Sequence, residues 1–127
     1  MKIIITGASG FIGKNLNKYL NEFYEIIPIS IRYQIQQQFD FNSTGIIHLA
    51  GKAHDLRKVV DPQGYYEANF ELTKQLYDSF LNSSATVFIF LSTVKASADK
   101  VEGMLIEHAQ PNPKTHYGKS KLLAENY

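Results

Sequence analysis

Three glycines at three-residue intervals, Gly7, Gly10 and Gly13, lie near the start of the chain in TGASGFIGKNL. That spacing can hold a phosphate. The first glycine permits a tight turn, the second lets the backbone approach a pyrophosphate, and the third lets the following helix pack closely. The helix N-terminus adds unpaired N–H groups and partial positive charge. Ser9, Phe11 and Ile12 fall within this loop and first turn. About 20 residues past the glycines, where an acidic residue would receive the ribose hydroxyls of NAD, stand Ser30 and Arg32. An uncharged residue beside a guanidinium suits a 2′-phosphate, which arginine can bond bidentately. The pair favours NADP over NAD. Near the other end, Tyr117 and Lys121 are four residues apart, which places them a turn apart on one helix face.

The elements that position these groups follow from apolar period. Ile3 to Ile5 is a β-branched run that reads as a strand buried on both faces. Ile12, Leu16, Leu20 and Phe23 then fall about one helical turn apart. Residues 24–31 predict a second strand, with Pro28 an awkward member. Residues 46–50 predict another strand, and 86–91 the strongest one in the sequence. Between these two, residues 65–81 carry Leu72, Leu76 and Phe80 on one helical stripe. Residues 94–115 read as loop, and a helix begins near Tyr117 and runs to the end of the chain. Strands alternating with helices predict a doubly wound parallel α/β sheet of the Rossmann type. One stretch is too short. A crossover needs at least ~10–12 residues, so either the strand near Phe39–Phe41 or the helix after it is expected to be vestigial.

Composition removes several classes of function. The chain has 127 residues, 44% of them apolar and 20% charged, which fits one ordinary globular domain. A net charge of +1 with no basic block gives no reason to expect nucleic acid as a partner. There are no cysteines, and the four histidines lack ligand spacing, so no metal site is expected. No apolar run approaches the ~18 residues of a membrane helix. A cytoplasmic protein with no membrane partner is the expectation.

The Gly-x-x-Gly-x-x-Gly spacing resembles the extended short-chain dehydrogenase/reductase family, and TGASGFIGKNL is similar to the opening of its nucleotide-sugar epimerases, dehydratases and reductases. Further matches follow in order along the chain. Asp40-Phe41 resembles the pair that brackets the adenine. His48-Leu49-Ala50-Gly51 resembles the HxAG stretch bordering the diphosphate and ribose. Asn69 matches a helix asparagine beside the cofactor pocket. Ser92-Thr93 resembles the end of a strand whose hydroxyl binds substrate, with that role falling on Thr93. YGKSK, residues 117–121, resembles the family's YxxxK motif. The family usually continues from the Thr as Val-Tyr-Gly, whereas Val94-Lys95 stands here, as in one variant of the family. An Asp-Glu pair, usual in the dehydratases, is missing.

That resemblance implies a catalytic Thr93, Tyr117 and Lys121, with NAD(P) and a nucleoside-diphosphate sugar as ligands. A free tyrosine titrates near ~10, so acting as a base near neutral pH requires about 4 kcal/mol. One ammonium ~5 Å away, at an effective dielectric of ~20, supplies roughly 3 kcal/mol. Lys121 would also hold the nicotinamide ribose. Epimerisation through transient C4 oxidation is the expected activity, with a 4-keto-sugar reductase or a non-catalytic NADP-binding regulator as alternatives. Family members run to about 300 residues, so residues 1–127 are expected to form the cofactor domain without its substrate-binding part. Such a fragment is expected to turn over little and to expose apolar surface; the assembly expected is a homodimer.

Overall fold

A computed structural model describes residues 1–53 and 61–127. Four parallel strands form one sheet in the order β2-β1-β3-β4. They are β1 (Lys2–Thr6), β2 (Glu25–Ile29), β3 (Gly45–His48) and β4 (Val87–Phe90). Helix α1 (Phe11–Leu20) connects β1 to β2. A single helical run precedes β4: α2 (Gln63–Tyr66), a wide π-helical turn (Glu67–Glu71) and α3 (Leu72–Leu81). Beyond β4 come a 3₁₀ turn (Val94–Ala96) and α4 (His116–Glu125).

The period-2 geometry of a strand sends alternate side chains to opposite faces, and the isoleucines divide accordingly. Ile3, Ile5 and Ile47 pack with Leu16 and Leu20 of α1. Ile4 and Ile46 pack with Leu72 and Leu76 of α3, both almost wholly enclosed. Ile12 and Phe23 depart from the expected apolar stripe of α1 and are exposed. On β4, Phe88 packs toward α3 while Val87 and Ile89 are about half exposed, so one sheet face lacks cover there.

Strand boundaries are narrower than expected, and Pro28 keeps its place because β2 lies at the sheet edge, where a missing N–H costs least. The helical run begins at Gln63, and α4 ends at Glu125 with Asn126 capping it. The larger difference lies in residues 30–44. Neither the strand near Phe39–Phe41 nor a crossover helix forms there. Phe41 is instead 3% exposed within the Ile4–Ile46–Leu72–Leu76 cluster, and Phe39 stacks on it with centroids 5.8 Å apart. The Ser79 hydroxyl accepts from the Phe39 N–H at 3.2 Å. Two aromatic rings thus fill core space that a connecting element would occupy. Among the described residues, no helix is long and apolar enough to cross a membrane.

Candidate functional site

The chain leaves β1 into the glycine loop, and the loop's shape depends on those glycines. Gly7 has φ +69°, and a Cβ there would lie 2.7 Å from the Ala50 nitrogen. A Cβ on Gly13 would overlap the Gly7 carbonyl and Ala8, so the third glycine seats α1 on the loop itself. Gly10 closes the turn by donating to the Gly7 carbonyl at 3.0 Å and then occupies the N-cap of α1. No side chain caps this helix, so its first-turn N–H groups, which lack intrahelical acceptors, face outward. Phe11 is 86% exposed.

A cleft of about 810 Å³ opens beyond the carboxyl ends of β1, β2 and β3. Its lining includes Gly7, Ser9 and Gly10 of the loop together with Leu49, Ala50 and Gly51, of which Leu49 and Ala50 pack directly against Gly7. Ser30 and Arg32 also line it. Among the described residues Arg32 has no ion-pair partner. Phe11, Ile12 and Gly13, in the first turn of α1, do not line the cleft. Asp40 and Phe41 are not brought to this cleft. Phe41 is core, and both residues border a separate groove beside α3. The adenine bracket expected of them is therefore not seen in the lining of this cleft, although Ile29, Ile31, Tyr33 and Ala50, which pack around the cluster that holds Phe41, do line it.

The cleft floor is fixed by a buried hydrogen-bond chain. Thr73 donates its hydroxyl proton to the Asn69 carbonyl at 2.7 Å, so its oxygen accepts from His48 Nε2 at 2.9 Å. His48 Nδ1 then accepts from the Thr6 hydroxyl at 2.7 Å. The Thr6 oxygen in turn accepts from the N–H groups of Leu49 and Ala50, at 3.2 and 3.1 Å. Both imidazole nitrogens are satisfied in the neutral form. Burial, with the Lys121 ammonium nearby, pushes the His48 pKa down to about 3. His48 is thus a neutral spacer that holds the cleft backbone.

Asn69 continues this scaffold from the π-helical turn. Its Oδ1 accepts from the Lys52 N–H at 2.7 Å, and its Nδ2 donates to the Lys52 carbonyl and to Ser120 Oγ, both at 3.0 Å. Ser120 donates to the Tyr117 carbonyl at 2.9 Å, so one asparagine links the cleft wall to α4. Sequence reasoning passed over Lys52. It lines the cleft, and its Nζ lies 4.7 Å from the centre of the Tyr65 ring. Its position directly after HLAG was the available signal.

Thr93 follows β4, the Lys121 ammonium reaches the residue just past that strand, and Tyr117 stands in the first turn of α4; none of the three lines the cleft. The Thr93 oxygen accepts from the Lys95 N–H at 3.2 Å and so caps the 3₁₀ turn. Tyr117 is half-buried in the first turn of α4, its ring centre 6.5 Å from that of Tyr65. Lys121 is 6% exposed. Its ammonium donates to the Leu91 carbonyl at 2.6 Å and lies 3.9 Å from the centre of the Phe90 ring. Burial lowers its pKa to about 8, opposed by the carboxylate of Glu125, which also accepts from the Ser92 hydroxyl. The ammonium is thus bonded to the backbone of the residue that follows β4.

Parallel strands, a glycine loop after the first of them and a cleft at their carboxyl ends define an α/β protein of the Rossmann type. The model of the NAD dependent epimerase/dehydratase family matches residues 3–127, and the chain belongs to that family. The UDP-glucose 4-epimerase of Vibrio cholerae is 30% identical over 97% of this chain and 44% of its own length. The GDP-6-deoxy-D-mannose reductase of Pseudomonas aeruginosa is 26% identical over 98% of this chain and 45% of its own. Among solved structures, the UDP-glucuronic acid 4-epimerase of Bacillus cereus in complex with NAD superposes with TM-score 0.83 at 26% identity. That match covers 99% of this chain and 50% of the epimerase. Similar structures carry NAD or NADPH. The chain spans less than half the length of these two curated relatives.

Proposed function

We propose that residues 1–127 form the cofactor-binding part of a NAD(P)-dependent nucleotide-sugar epimerase that acts through transient oxidation at C4. The observation that carries this reading is the convergence of two sets of groups on one end of the sheet. The open glycine loop lies at the end of β1; Thr93 and the Lys121 ammonium lie just past the end of β4, with Tyr117 one turn before Lys121 on α4. The cradle fits a dinucleotide. A Cβ on Gly7 would collide with Ala50 and one on Gly51 with Asn69, and the uncapped α1 N-terminus suits a diphosphate.

A bound nicotinamide would supply hydride chemistry. The chain's own groups have the remaining tasks. Gly10 and the first-turn N–H groups hold the diphosphate, while Ser30 and Arg32 receive the adenosine ribose and favour a 2′-phosphate. Leu49, Ala50 and Gly51, fixed through Thr6, His48 and Asn69, continue the wall beside the glycine loop. Tyr117 moves the proton of the sugar hydroxyl, Thr93 orients that oxygen, and Lys121 raises the local positive potential and bonds a ribose hydroxyl. The relatives' names support a nucleoside-diphosphate sugar as the substrate class.

An NADPH-dependent 4-keto-sugar reductase is the second reading, favoured by Arg32 at the cleft. Assays of the full-length gene product on UDP-glucose, on UDP-glucuronic acid and on a nucleoside-diphosphate 4-keto sugar supplied with NADPH separate the two. An epimerase interconverts sugars with no net consumption of cofactor, whereas a reductase consumes NADPH in step with product. In either case Tyr117→Phe should lower turnover 10²–10⁴-fold, the typical contribution of a positioned proton-transfer group. Cofactor affinity should stay within about twofold. Normal turnover in Tyr117→Phe would remove the proposed base.

A further inference from the structure

The loop between the 3₁₀ turn and α4 is tied at its base by one carboxylate. Asp99 accepts from the Lys114 N–H, from the Thr115 N–H at 3.1 Å and from the Thr115 hydroxyl at 2.7 Å. Thr115 is the N-cap of α4, and its oxygen accepts from the Gly118 N–H at 3.1 Å. The other side of the tie reaches β4. The Lys95 ammonium donates to the Asp99 carbonyl at 2.8 Å, and the Lys95 N–H donates to Thr93 Oγ. Gly118 abuts the Lys95 carbonyl so closely that a Cβ would overlap it. A second clasp, from the Asn112 N–H to the Ser97 carbonyl at 2.8 Å, closes the same loop.

Thr93 and Tyr117 come from segments more than twenty residues apart, and the loop between them holds no further regular element. These ties span that loop from its two ends, beside the bonds that Ser120 and Lys121 of α4 make to Asn69 and to the Leu91 carbonyl. We propose that Asp99 is a positioning residue for this hydroxyl pair, clamping the turn after β4 against the first turn of α4. The inference rests on the proposed roles of Thr93 and Tyr117. It also gives a use to Val94-Lys95, where the sequence departs from the usual family pattern. Asp99 works through acceptor geometry: two oxygens face three donors. Asparagine keeps Oδ1 toward the two N–H groups, and its Nδ2 can donate to Thr115 Oγ once the Thr115 hydroxyl proton turns away from residue 99. Alanine can do neither.

Steady-state kinetics on the full-length gene product, with Asp99→Asn, Asp99→Ala and Tyr117→Phe side by side, test the proposal. Asp99→Ala should lower kcat 10–100-fold, with cofactor Kd and sugar-nucleotide KM within threefold. Asp99→Asn should keep kcat within about threefold of the parent. An inactive Tyr117→Phe beside a normal Asp99→Ala would overturn the positioning role and leave the site reading intact. Equal losses in Asn and Ala would also overturn it, because charge rather than geometry would then matter. If the parent turns over no sugar nucleotide, the site reading itself fails, and the clamp is judged by amide exchange. Exchange at Gly118 at least tenfold faster in Asp99→Ala than in the parent, with Asp99→Asn unchanged, supports it; unchanged exchange in Asp99→Ala overturns it.

Discussion

Two buried basic side chains sit near the carboxyl ends of neighbouring strands and are held in opposite ways. His48, at the end of β3, has a hydroxyl partner on each ring nitrogen and stays neutral. Lys121, packed against the end of β4, has one hydrogen-bond acceptor among the described residues, the Leu91 carbonyl, and the face of a phenylalanine ring. An ammonium has three donors. Complete pairing turns a titratable group into a fixed spacer. Incomplete pairing leaves donors for a ligand and a charge whose cost falls on the fold. The proposed cofactor side of the molecule is built in the first manner and the proposed proton-transfer side in the second.

The largest effect expected from this difference belongs to Lys121. Its folded-state pKa of about 8 lies below that of an unfolded lysine, so the unfolded chain binds the proton first as pH falls. Stability should therefore rise as pH increases from about 8 to about 10.5, by at most ~3 kcal/mol. In Lys121→Met this rise should be absent. Urea melts across that range provide the check; the same slope in both proteins would show that the ammonium is not buried at a cost.

His48 should act at lower pH with the same sign. Its folded pKa of about 3 lies below the ordinary 6.5, so stability is full above 6.5 and falls as pH drops toward 3. Between pH 7 and pH 5 the expected loss is about 2 kcal/mol. His48→Gln should be flat over that interval, whatever its absolute stability. Asp78 and Asp99, whose pKa values are lowered, contribute only below the ordinary carboxylate range and do not confound this window. A parent protein with no loss between pH 7 and pH 5 would contradict the fully paired neutral imidazole.

Arg32 carries the smallest expected effect. In the full-length protein NADP should bind more tightly than NAD, and Arg32→Ala should weaken NADP about tenfold, in line with one charge-assisted contact. NAD affinity should hardly change. Calorimetric titration of both cofactors measures this, and equal affinities in parent and variant would end the argument from Ser30 and Arg32.

The sequence disclosed most where the structure is local. Gly7, Gly10 and Gly13 act within one strand–turn–helix unit, and Ile3–Ile5 reads as buried because both faces of β1 are covered. Phe39 and Phe41 misled for the opposite reason. Their alternation suits a strand, but their destination is set by space between β3 and α3, which no local pattern records. Asp99 was invisible for the same cause, since its partners lie fifteen and sixteen residues away across a loop. Tyr117 and Lys121 were found by spacing and resemblance. Spacing fixed their shared helix but not the direction of the ammonium, which the Leu91 carbonyl decides.

The claim on which the rest depends is that the cleft between the glycine loop and residues 49–51 receives a dinucleotide. Titrating NADP into the uniformly ¹⁵N-labelled 127-residue chain, and following backbone amides by NMR, tests it directly. Saturable shifts are expected at Gly10, Phe11, Ile12, Ser30, Ala50 and Gly51, with little change at residues 36–40 beside α3. Shifts confined to the groove at residues 36–40, or none at millimolar NADP and NAD alike, would contradict the account.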